Sequence, residues 1–257
     1  MISLHRGAIM RNSGLLALAC VLSSVGIVQA AELQIIARGG IAAPLNEIAR
    51  QFESSTGHKT VIRYGTTPEL IKMATSGTAF DLAVVPQDVF RDAAARGQFP
   101  PDALPTVARV GLAVAVRAGT AKPDIATPEA LKQTLLKAQA VASIPASATG
   151  TQLAGVYEKL GIADEMKAKT KAQPGPAQII EAVAKGDCEL AVFLINVLTD
   201  PRLDVVGPFP ADVQREVVYA TGLAANSKEA DAAKAFIAYL KSEAAATVIK
   251  AKGMNPG

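Results

Sequence analysis

Three times between residues 33 and 97 a short β-rich run gives way to a longer amphipathic pattern. "LQIIA" (33–37) precedes "PLNEIARQFESSTG", in which Leu45, Ile48, Ala49 and Phe52 recur at helical spacing. "KTVIRYG" (59–65) precedes "PELIKMATSG", which places Pro68 in a first helical turn. "FDLAVVP" (80–86) is apolar nearly throughout, as a strand buried on both faces must be, and "DVFRDAAARG" follows as a third helix. Strands separated by helices return parallel, so this rhythm predicts βαβ units and a parallel sheet.

After this the rhythm changes. "ARVGLAVAVRAG" (108–119) is a long β-rich run without a central turn signal, long enough to leave one lobe and enter another. A second β/α series follows: "PEALKQTLLKA", "AVASIP", the helix after "IPASATGT", "PAQIIEAVAKGD" and the apolar strand "ELAVFLIN" (189–196). "EVVYATGLAAN" (216–226) then carries the chain back, ahead of two closing helices. The expectation is a hinged α/β clamshell of two lobes joined by two crossing strands. Lobe 1 takes residues 31–112 and 222–257, and lobe 2 takes residues 113–221.

The first thirty residues stand apart. His5, Arg6 and Arg11 make a basic start, the apolar run 14–28 follows, and Val28 and Ala30 are the small residues of a cleavage site. Residues 1–30 therefore form an export signal, and the mature protein is expected in the periplasm as a monomer. Cys20 lies inside the apolar run, without the leucine three positions earlier that a lipid anchor wants. The whole chain carries 26 basic and 23 acidic residues, and two of the basic ones, Arg6 and Arg11, fall in the leader. The mature surface is thus nearly balanced, which excludes a nucleic-acid footprint.

Cysteine and histidine are scarce. Cys188 alone remains after the leader, so no internal disulfide forms, and it reads as a small buried residue at a strand start. His58, in "STGHKT", reads as an exposed loop residue. No HExxH, CxxC or G-x-S-x-G stands anywhere in the chain, which argues against a His/Cys zinc site and a serine triad. Neither a metal nor a cofactor is expected.

Two-lobe α/β proteins bind ligands at loops beyond the carboxyl ends of their strands. Here those loops are "ARGG" (37–40), "YGTTP" (64–68), "VPQD" (85–88), "IPASATGT" (144–151) and "INVLTD" (195–200). In the fourth, Ser147, Thr149 and Thr151 surround Gly150 just before a helix with no acid in its first turn. One hydroxyl suffices for a cap; several, at the positive end of a helix dipole, also suit an anion. Taken alone the loop is a capped helix start, and its company of similar loops favours the ligand.

These segments resemble the periplasmic molybdate-type binding proteins of ABC importers. The resemblance runs in order through "LQIIARGG", "IPASATGTQLAGVYEKLGI", "GDCELAVF" and "AAKAFIAYLKSEAAATVIKAKGM" and covers essentially the mature chain. It implies a solute-binding clamshell, a tetrahedral oxyanion such as molybdate held by hydroxyls and amides, and an inner-membrane ABC permease as partner. It carries the site onto Gly39 and Gly40, Thr66 and Thr67, Pro86, the amides of Ala148, Thr149 and Gly150 with the flanking Ser147 and Thr151, and Asn196. It also shows departures. The family's first-strand serine falls at Gly40, Pro86 lacks an N–H, and the family's tyrosine falls at Leu194, leaving Asn196 as the nearest polar residue.

Beside these losses stands Arg38, where the family has a small residue. A guanidinium grips a carboxylate through two charged hydrogen bonds. Arg38 is either a solvated surface residue or the mark of an organic anion. Two rivals stay open: a secreted enzyme, whose acids would be Asp88 and Asp200, and a sensor that presents its ligand to a receptor.

Overall fold

The computed structural model describes residues 30–100 and 104–257. The expected leader, Ala30 excepted, lies outside the described residues.

The opening rhythm folds as its spacing predicts. Strand β1 (Glu32–Arg38), helix α1 (Ala42–Thr56), β2 (Lys59–Gly65), α2 (Thr67–Thr75) and β3 (Leu82–Pro86) follow in order. β1 pairs in parallel with β2 on one side and β3 on the other. Both faces of β1 are buried. Leu33, Ile35 and Ala37 join the core that includes α1 residues Leu45, Ile48 and Phe52, while Ile36 joins a second cluster with Leu70, Ala74 and Val89. Alternation along the strand sends successive side chains to opposite layers.

The third helix is shorter than its pattern. α3 (Gln87–Arg91) stops at Asp92, whose backbone turns extended and whose Oδ1 accepts from the amides of Ala94 and Ala95. A carboxylate that bonds nearby amides offers the backbone an alternative to the helix.

β4 (Thr106–Arg117) is the long strand between the halves. Its first part pairs with β9 (Glu216–Leu223), and its second with β7 (Leu190–Leu194) and β8 (Leu203–Pro208), all antiparallel. Between β4 and β7 the chain forms α4 (Pro128–Lys137), β5 (Val141–Ser143), α5 (Ala148–Leu160), α6 (Ala163–Lys169), β6 (Thr170–Ala172) and α7 (Pro176–Lys185). The strand order is β2-β1-β3-β9-β4-β7-β5-β6. This is the mixed α/β clamshell, a curled sheet flanked by helices. Helices α8 (Ala230–Leu240) and α9 (Glu243–Ala251) pack on α1, and β10 (Asn255–Pro256) closes on β4.

Two expectations need correction. β9 pairs along residues 216–223 with β4 and β3, within the first half of the sheet. The chain therefore returns earlier, through residues 209–215, where the Gln214 side chain accepts from Leu112 N and donates to Leu112 O. His58 is also not an exposed loop residue. It is 6% exposed, stacks on Phe52 and accepts the Ala31 amide on Nδ1 at 3.0 Å.

Candidate functional site

The carboxyl ends of β1 and β3, the start of α2 and the middle of β9 meet at one edge of the first half-sheet. Arg38 closes β1 and is half-buried; Gly39 and Gly40 begin a single 3-10 turn after it. The Arg38 Nη1 donates to the Thr67 hydroxyl at 3.0 Å. Arg38 forms no ion pair among the described residues.

Thr66 and Thr67 divide their work. Thr66 caps α2, and both its amide and its hydroxyl donate to Glu69 Oε2 at 2.7 Å. Those bonds, from the Thr66 backbone first and its hydroxyl next, hold the Glu69 carboxyl below the usual range, with a smaller pull from Arg38. The polar groups of Thr66 are thereby committed inside the helix start. Thr67, which accepts from Arg38, keeps its own hydroxyl proton for a further acceptor.

Pro86 is buried at the end of β3, opposite Tyr219 of β9, and offers no N–H. Tyr219 is 1% exposed and was missed in the sequence. Its hydroxyl stands against the position a Cβ on residue 40 would take, so a side chain there would have to displace it. Burial pushes the Tyr219 phenol up to about 12, with Arg38 pulling the other way. The phenol is a protonated donor at neutral pH. Its signal in the sequence was a single aromatic in "VVYATG", legible as a site residue only once β9 is paired to β3.

From the other half, Asn196 follows β7 and reaches across 156 residues of sequence. Its Nδ2 donates to the Gly40 carbonyl at 2.9 Å, while its Oδ1 is buried without a partner. Arg38, Gly40, Thr67, Asn196 and Tyr219 are thus brought together.

No hydrogen bond joins the loop 144–151 to this group among the described residues. Ser147 caps α5: its hydroxyl accepts the Gly150 amide at 3.0 Å and donates to Ile144 O at 2.8 Å. Thr151 donates back to the Ser147 carbonyl, and Thr149 is 3% exposed. The first-turn amides of Ala148 and Thr149 have no intrahelical partner, as at any helix start. Gly150 packs against the carbonyls of Ile144 and Pro145, where a Cβ would collide. Capping and close packing account for Ser147 and Gly150.

Asp88 and Asp200, the acids expected of an enzyme, make no hydrogen bond to this group among the described residues. Asp88 is exposed in the first turn of α3, and Asp200 is held by Arg202 through Nε at 2.8 Å and Nη2 at 3.1 Å. Cys188 is 2% exposed, and burial raises its thiol, as for a cysteine packed into a core. Among the described residues no cluster of His, Cys, Asp and Glu could hold a metal.

Known proteins resemble this chain along most of its length. The family model of the bacterial extracellular solute-binding proteins matches residues 33–255. The aconitate isomerase of a Pseudomonas species is 32% identical over 87% of each chain. The molybdate-binding protein ModA of Azotobacter vinelandii is 30% identical over 98% of this chain and 97% of its own. Among solved structures, the periplasmic molybdate-binding protein of Azotobacter vinelandii superposes with a TM-score of 0.70 at 20% identity, covering 88% of this chain and 99% of that one. Matched from β1 to the last strand, and built on the fold of the molybdate-type periplasmic members, the chain belongs to the bacterial extracellular solute-binding protein family.

Proposed function

We propose that this protein captures a small organic acid in the periplasm, binds one carboxylate on Arg38, and delivers it to an inner-membrane ABC permease. The observation that carries the reading is the Arg38 guanidinium, fixed by Thr67 at the carboxyl edge of the sheet and without an ion-pair partner among the described residues. A positioned guanidinium with free donors favours a planar two-oxygen anion over a compact oxyanion held by neutral donors. Gly40 and Pro86, which withdraw a hydroxyl and an amide from the same edge, support the same choice. The two halves enclose the ligand by closing about residues 106–117 and 209–215; contacts made from both sides exist only in the closed form, so binding shifts that equilibrium.

Calorimetric titration of the exported protein with aconitate, citrate and molybdate tests the proposal. Arg38→Ala is expected to cost about 2–5 kcal/mol of organic-acid binding, the loss typical of a desolvated charge pair. Tight molybdate binding that Arg38→Ala leaves unchanged would sink the carboxylate reading and restore the oxyanion.

A second reading takes support from the relative named aconitate isomerase, 32% identical to this chain. In it, the bound acid is isomerised as well as held. Proton NMR of cis-aconitate incubated with the protein decides between them: capture leaves the spectrum unchanged, whereas turnover brings in the trans isomer.

A further inference from the structure

At the edge where β1 and β3 end and the middle of β9 passes, two side chains offer donors, Arg38 and Tyr219. The Arg38 guanidinium carries donors alone, and one of them is spent on Thr67. The Gly40 carbonyl already accepts from Asn196. The Tyr219 hydroxyl stands against Gly40, close enough to Arg38 to feel its charge, and has no hydrogen-bond partner among the described residues. Its ring is built into the core, so the hydroxyl is held in one place. A hydroxyl that makes no bond within the protein keeps its proton for an acceptor that arrives from outside. Arg38 cannot be that acceptor, because a guanidinium has no lone pair to give.

We infer that Tyr219 is a ligand-recognition residue, and that its hydroxyl and the Arg38 guanidinium grip the same carboxylate of a small organic acid. The inference rests on the carboxylate reading above and extends it to a residue on a different strand. It also explains Gly40: a side chain there would displace the hydroxyl from the grip. The two donors come from strands more than a hundred residues apart in sequence, so the pair exists only in the folded first half of the molecule. A planar anion with two oxygens satisfies both at once.

Aconitate titrations of wild type, Tyr219→Phe, Gly40→Ala and Arg38→Ala test it, with near-ultraviolet difference absorption recorded alongside. Tyr219→Phe keeps the packed ring and removes one oxygen, so its thermal midpoint without ligand should stay near that of wild type. Its aconitate affinity should fall by about ten- to a hundredfold, the loss expected for one hydrogen bond to a charged group. The tyrosine difference band that saturating aconitate produces in wild type should disappear with the hydroxyl. Gly40→Ala should weaken binding by pushing the hydroxyl aside, and it serves as the second probe if the phenylalanine variant does not fold. Wild-type affinity in both variants, with Arg38→Ala still defective, overturns the role of Tyr219 and leaves the carboxylate reading standing. Failure of wild type to bind aconitate or citrate overturns both.

Discussion

Gly150 has a packing role that the sequence alone does not announce. Among hydroxyls at a helix start it suggests an anion cradle, yet its amide bonds Ser147 and its Cα packs on two carbonyls. The constraint is steric and comes from backbone atoms, which cannot rotate away. Gly150→Ala is therefore expected to destabilise the protein by about 1–3 kcal/mol, the usual cost of overpacking. In a chain of this size that lowers the melting temperature by at least a few degrees, measurable by calorimetry. An unchanged melting temperature would mean that the start of α5 has room to spare. His58 makes the opposite point. Polar and alone in a turn-like sequence, it is placed by a distant amide and a phenyl ring that no local pattern announces.

Among the elements, α2 carries the clearest titration. The Glu69 carboxylate holds the Thr66 amide and hydroxyl, and its pKa is lowered from the ordinary 4.5. A group depressed in the folded state contributes stability above its unfolded value and loses it as pH falls through the folded one. Acid unfolding of Glu69→Gln should therefore match wild type well below pH 4.5 and fall short of it at neutral pH. If the two proteins differ equally at both, the capping bond is not charged.

β1, α1, α2 and β3 were legible because each buries apolar residues at its own spacing, and β7 fell on its apolar run. β6, β8 and β10 were not legible. β6 and β10 are only two or three residues long, β8 is half-exposed along most of its length, and their stability comes from the strand beside them rather than from their own side chains. For the same reason the site was legible in part. Arg38 and Thr67 stand at strand and helix ends that the rhythm marks, whereas Tyr219 reaches them only through the antiparallel register of β9 with β3.

Over the whole molecule, a hydrogen bond ties the loop after β1 to the loop after β7: Asn196 Nδ2 on the Gly40 carbonyl. It links the two halves without any ligand. Asn196→Ala should let the free protein open further, seen as a larger radius of gyration by small-angle X-ray scattering, while the ligand-bound radius stays that of wild type. Equal radii for the free forms would show that this bond does not hold the halves together. The two passages between them lie side by side, with the Gln214 side chain bonding both the N–H and the C=O of Leu112. Everything from Leu112 to Gln214 thus enters and leaves the first half at a single doorway. Such a stretch has the form of a cassette, with its way in and its way out side by side. Recombination between members at that doorway would pair one lineage's Arg38 and Tyr219 with another's opposing loops, and new ligand preferences would arise from a splice rather than from point changes.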